Sequence, residues 1–162
     1  MNKFIIVDLD NCIADDAWRI PKINWQKSDP MERYHDYHVL SGFDKVGNRD
    51  IFEQHPDAKT IIFTARPVHY AALTKEWLRL NDVPYEYLVM RNNNDHRHSL
   101  ELKQTMLNWL PHIYGVPMEE IVAAYDDRPD VVAMYLRAGI NAEKREIHNV
   151  CAYTKPNTKE PA

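Results

Sequence analysis

Cysteine is almost absent from this chain. Two thiols, Cys12 and Cys151, stand far apart in 162 residues. Such a pair makes neither a disulfide framework nor a zinc motif. Reduced thiols in a cytosolic protein are expected. Long apolar runs are also missing. No stretch approaches the roughly eighteen residues of a membrane span. The N-terminal run of MNKFIIVDLD is too short for a signal-peptide core and is broken by Asp8. A cytoplasmic protein with no membrane partner is therefore expected. Positive charge is not in excess, since the net charge is −4 and the pI is near 6.0. That argues against avid binding along nucleic acid but leaves room for a small basic site. There is no internal repeat, no signal of oligomeric state, and no Gly-x-x-x-x-Gly-Lys-Ser/Thr loop for a phosphate donor.

What is present fits one globular domain. Hydrophobic residues make up 44% and charged residues 27%, enough for a single core. Short apolar runs at 4–7, 60–63, 85–89 and 121–124 predict buried strands. Between them, helical patterns run over 68–80, 99–114 and 129–138. Ser99 is a plausible N-cap, Pro129 suits a first turn, and Gly139 suits the position after a helix end. Alternating strands and helices predict an α/β fold, a Rossmann-like parallel sheet with helices on both faces. Residues 142–147 would add an edge strand, polar because of Glu143, Lys144, Arg145 and Glu146. Residues 15–50 break the rhythm, with Pro21, Pro30, Trp18, Trp25, Tyr34, Tyr37 and Phe43 scattered through them. They read as a small cap insertion after strand one, or as a loop packed by its own aromatics. The domain is expected over 1–150, with 151–162 a disordered tail.

Ligands of open α/β sheets bind beyond the carboxyl ends of the strands. Asp8-Leu9-Asp10-Asn11 follows the first strand, Thr64-Ala65-Arg66 the second, and Tyr125-Asp126-Asp127-Arg128 the fourth. Lys103 opens the helix that leads to the fourth. The carboxylates of Asp8, Asp10, Asp126 and Asp127 make an oxygen-rich site suited to Mg²⁺. Asp8 can then attack phosphorus and form an aspartyl-phosphate. Asp10 is placed to protonate the leaving oxygen and later activate water. Thr64 and Lys103 can bind the equatorial phosphoryl oxygens.

At these four elements, in this order, the chain resembles the haloacid dehalogenase-like phosphatase superfamily. Asp95-His96-Arg97, together with the stretch from Asp126 to Gly139, resembles the 3′-phosphatase domain of phage polynucleotide kinases. The resemblance implies a Mg²⁺-dependent phosphomonoesterase. Its substrate would be a nucleic-acid 3′-phosphate end or a nucleotide monophosphate. Arg66, Arg91, Arg97 and Arg128 are candidates for holding that substrate. Asn11-Cys12 departs from the family's usual Gly-Thr. Asn tolerates the left-handed backbone the turn needs, but Cys12 has no threonine-like hydroxyl, so weaker positioning of Asp10 is expected. His96 and His98 lack zinc spacing and read as a substrate contact or a solvated loop. Trp18, Trp25, Tyr34 and Tyr37 are either stacking surfaces for a base or the insertion's own core. A (deoxy)nucleotide 5′-phosphatase is the nearest competitor, because an acidic chain suits long polyanions poorly. A non-catalytic module that holds a metal or partner is the rival from another class.

Overall fold

In the computed structural model, which describes residues 1–150 and Lys155, five parallel strands lie side by side. They are β1 (Phe4–Val7), β4 (Lys59–Pro67), β5 (Tyr87–Arg91), β6 (Ile121–Asp126) and β7 (Ala142–Lys144). Their order is β5-β4-β1-β6-β7. Every residue of β1 is buried because successive side chains feed two cores. Phe4 and Ile6 pack on the face covered by α5 (Ser99–His112) and α6 (Pro129–Arg137). Ile5 and Val7 pack on the opposite face with Trp77 and Leu78 of α4 (Ala71–Leu80). A parallel strand covered on both faces reads as an unbroken apolar run rather than an alternation.

The predicted Rossmann-like α/β class is the observed one. Element ends differ by a few residues, each for a local reason. The third strand starts at Tyr87 rather than 85, because pairing begins where Tyr87 meets Ile61 of β4. Tyr85 instead stays partly exposed. The fourth strand continues to Asp126, since ladder bonds run through the backbone whatever the side chain. Ser99 is the first residue of α5 rather than its cap. The cap is His98, whose side chain accepts from the Leu100 N–H at 3.2 Å. Pro129 does open α6, and Gly139 follows it at φ 83°. Among the described residues no helix is long and apolar enough to cross a membrane. The expected disorder of 151–162 falls outside the described residues, as does Cys151.

The irregular segment leaves and rejoins the sheet through a two-stranded ribbon. Its strands, β2 (Ala14–Asp15) and β3 (Lys45–Val46), pair antiparallel. Between them lie a 3₁₀ turn at Ala17–Lys22, α1 (Pro30–Arg33), α2 (His35–Val39) and a second 3₁₀ turn at Leu40–Phe43. The short α3 (Asp50–Glu53) follows. Ile23 and Tyr37 are buried with Ile20, Trp25 and Tyr34 packed around them, so part of the aromatic set does form a small core.

Candidate active site

The end of β1 carries Asp8 into a cleft of about 620 Å³. The chain then turns sharply, with the N–H groups of Cys12, Ile13 and Ala14 all converging on the Leu9 carbonyl. Asn11 sits in the left-handed region at φ 62°, the conformation that favours Asn over most other residues. Its side chain is also a clamp. The Oδ1 accepts from the N–H groups of Ile147 (3.0 Å) and His148 (2.8 Å), and the Nδ2 donates to Asp127 Oδ2 at 3.2 Å.

Lys103 comes from the first turns of α5 and is buried. Its ammonium donates to Asp8 Oδ1 at 2.8 Å and to Asp126 Oδ2 at 2.5 Å. Burial opposes that charge, but Asp126 and Asp8 outweigh it and hold the Lys103 pKa well above its ordinary value. Asp8, Asp126 and Asp127 each bring a carboxylate oxygen within 4.8 Å of the others. Burial, then the Asp126 charge, pushes the Asp8 carboxyl well up. Burial also raises the Asp127 carboxyl. When all are ionised, one ammonium cannot balance three carboxylates. Hard oxygen donors with surplus negative charge suit Mg²⁺, so these side chains fit the expected ion.

Asp10 is elsewhere. Its carboxylate accepts from Arg19 Nη2 at 2.5 Å and from Arg66 Nη2 at 2.7 Å. Burial would raise its pKa, but Arg66 and Arg19 hold the carboxyl far below the usual range. Asp44 completes a buried set of two carboxylates and two guanidiniums, 2.7 Å from Arg19 Nη2 and 3.8 Å from Arg66 Nη2. Arg19 also lies 4.2 Å above the Tyr37 ring. Two arginines therefore bond the Asp10 carboxylate, to which the Cys12 side chain offers no hydroxyl. Cys12 is a buried free thiol inside the core. Beside this set, Asp16 accepts from the Tyr37 hydroxyl at 2.5 Å and pairs with His148 Nε2.

The remaining predicted residues divide. Thr64 is buried within β4 and its Oγ1 accepts from the Arg66 N–H at 3.2 Å; Ala65, next to it, edges the cleft. Arg66 is fully buried against Asp10 and edges neither cavity, because its guanidinium is committed to that carboxylate. Arg128 edges the cleft. It also reaches, with Arg91 and Arg97, a second cavity of about 400 Å³ beside it. Arg91 donates to the carbonyls of Ala65, Asp95 and Arg97 and so shapes that wall. Arg19, Asp16, Asp44 and His148 were missed by sequence reasoning. Isolated polar residues in irregular segments offer no spacing that would single them out.

The sequence profile of the polynucleotide kinase PNKP phosphatase domain matches residues 2–144. The chain belongs to this family. The family's fold recurs in solved structures. One is a chain of the Pnkp1/Rnl/Hen1 RNA repair complex, with TM-score 0.66 and 21% identity, covering 89% of this chain and 42% of that one. Another is a haloacid dehalogenase-like hydrolase from Streptococcus pneumoniae, with TM-score 0.60 and 10% identity, covering 87% and 83%. A third is a haloacid dehalogenase family enzyme from Bacteroides thetaiotaomicron in complex with magnesium and inorganic phosphate. It has TM-score 0.52 and 11% identity, covering 92% and 97%. The chain thus spans less than half of the repair-complex chain it resembles. No curated protein matches it in sequence.

Proposed function

We propose that this phosphatase-family chain hydrolyses phosphomonoesters through an aspartyl-phosphate on Asp8. Its substrates would be nucleic-acid 3′-phosphate ends or nucleotide monophosphates. The observation that carries this reading is the Lys103 ammonium held between Asp8 and Asp126, with Asp127 completing the oxygen cluster. Lys103 fixes one oxygen of Asp8 and offers positive charge to the phosphoryl oxygens. When bound by Asp8, Asp126 and Asp127, Mg²⁺ supplies the further charge that lets a carboxylate approach a phosphate. Asp8 forms a bond to phosphorus as the ester bond breaks, and the leaving oxygen takes a proton from Asp10. Water then attacks phosphorus, gives a proton to Asp10 and releases inorganic phosphate from Asp8. The segment over 15–50 acts as a small cap and 1–150 as the phosphatase domain. A cap this short shields the phosphoryl group but leaves an opening for a strand end.

The arginine clamp favours a second reading of Asp10, as the anchor of Arg19 and Arg66 rather than a proton carrier. A (deoxy)nucleotide 5′-phosphatase would use the same site and suits the acidic chain.

Turnover of p-nitrophenyl phosphate with Mg²⁺, lost in excess chelator and restored by the metal, tests the assignment. Asp8→Asn should abolish that turnover while the circular dichroism spectrum stays unchanged, because an amide cannot form the acyl-phosphate. A folded variant that keeps a tenth of the rate removes Asp8 as nucleophile. Activity that persists in chelator removes the metal.

A further inference from the structure

The two cavities meet along Ala65, Ser99 and Arg128 but differ in charge, since carboxylates outnumber Lys103, Lys144 and Arg128 around the first among the described residues. Six carboxylate residues edge the cleft around Asp8. Among the described residues, four arginines and three histidines edge its neighbour, and no carboxylate residue does. In a chain of net charge −4, such a separation concentrates positive potential in one wall. Asp95 pairs with Arg97 at 2.8 Å and Asp130 with Arg128 at 3.1 Å, both from outside that lining. Arg33 donates to the carbonyls of Lys27 (2.9 Å) and Ser28 (3.1 Å). Its guanidinium lies 5.6 Å and 5.9 Å from the Trp25 and Tyr34 rings. It is held in place, and among the described residues it forms no salt bridge with a carboxylate.

Two histidines add to this wall. His98 Nε2 lies 3.0 Å from Arg128 Nη2 and its Nδ1 lies 3.2 Å from the Leu100 nitrogen. His38 also edges the cavity, and its buried Nδ1 has no partner among the described residues.

We propose that this cavity holds a second phosphate of the substrate, one sugar removed from the phosphoryl group attacked at Asp8. The second phosphate is either the terminal phosphate of a nucleoside bisphosphate or the phosphodiester of a strand end. The subsite rests on the phosphatase reading above. It reconciles an acidic chain with a nucleotide substrate, because recognition ends at one neighbouring phosphate rather than following a backbone.

The test compares kcat/KM, with Mg²⁺ present, across matched substrates. They are a nucleoside monophosphate (3′ or 5′, whichever is hydrolysed faster), the nucleoside 3′,5′-bisphosphate, and a 3′-phosphorylated dinucleotide with a free 5′-hydroxyl. At least one doubly charged substrate should exceed the monophosphate by about tenfold or more, chiefly through KM, with a gain that shrinks as salt rises. Which of the two gains more identifies the terminal phosphate or the phosphodiester as the natural occupant. Arg33→Ala should bring the ratio of bisphosphate or dinucleotide to monophosphate close to one. Arg97→Gln serves as the second variant if the first does not fold. Equal kcat/KM for all three substrates in the unmodified protein overturns the subsite, as does a ratio that survives both substitutions. If p-nitrophenyl phosphate is hydrolysed but no preference exists, only the subsite fails. If nothing is hydrolysed, the phosphatase reading fails. Calorimetric titration with the bisphosphate and the monophosphate then decides the subsite, which equal affinities would overturn.

Discussion

Asp10 carries the sharpest question at the scale of single residues. The loop after β1 puts it two positions beyond Asp8, where a proton donor for the leaving group of the proposed reaction is useful. Its surroundings favour the charged form, because Arg66 and Arg19 both bond its carboxylate. A proton carrier and an anchor predict different kinetics. Asp10→Asn should slow hydrolysis by about 10² to 10⁴, the usual worth of general acid/base catalysis. If Asp10 moves a proton, the loss is smaller for p-nitrophenyl phosphate, whose leaving group needs little protonation, than for a nucleotide. Equal losses on both substrates, with a lowered melting temperature, would make Asp10 the anchor for its arginines instead. The neighbouring Asn11 shows how much one residue can do here. Its positive φ makes the turn, and its amide ties Asp127 to residues 147 and 148. The left-handed turn was legible from the residue type. The ties were not, because they join positions more than a hundred residues apart.

The element that most needs explaining is the segment between β2 and β3. Its own core is small, so it depends on polar links to the sheet. Arg19 of the first 3₁₀ turn reaches both Asp10 after β1 and Asp44 before β3. Trp77 of α4 donates its indole N–H to the Asp44 carbonyl at 2.9 Å. Asp44 is therefore the joint between segment and domain. Removing one partner of a buried ion pair leaves an uncompensated charge. Asp44→Ala should lower stability by about 3–5 kcal/mol in urea unfolding. Trp77→Phe, which loses one neutral hydrogen bond, should cost about 0.5–1.5 kcal/mol from that bond before any loss of packing. A small effect at Asp44 would mean that the ribbon and the aromatic cluster hold the segment by themselves. At this scale the strands were legible as unbroken apolar runs and the long helices by their helical spacing. The short turns between β2 and β3 have no period to read.

The whole molecule responds to pH through groups that burial moves in opposite directions. Burial pushes His38 down to about 3, with the charges of Arg19 and Arg66 adding to the effect and Asp10 opposing it. Its folded pKa lies below its unfolded value, so the unfolded chain binds the extra proton between about pH 6.5 and 3. Stability from His38 is complete above that window and falls as pH drops through it. The slope is at most about 1.4 kcal/mol per pH unit. Asp8, Asp16 and Asp127 are raised instead and tilt the curve the other way, so the difference from a variant is the clean measurement. Subtracting the stability of His38→Gln from that of the unmodified protein should give a line that falls on acidification from pH 6.5. A flat difference would show that the fold does not keep this ring neutral.

The fold class and the positions of Asp8, Asp126 and Asp127 at the carboxyl ends of their strands are properties of the sequence alone. A strand buried on both faces must be an apolar run, and a residue at its carboxyl end is adjacent in sequence to the run that places it. The chain itself therefore records that order. The arginine set around Asp10, the commitment of Arg66 to it and the arginine-rich cavity beside the cleft were decided only by the tertiary structure. Each joins residues from separate elements, such as Arg19, Asp44 and Arg66, whose charges acquire a role only when folding removes them from water. A carboxylate in an unfolded chain is solvated whatever follows it in sequence. Only in the folded protein do burial and the nearest guanidinium decide what it can do.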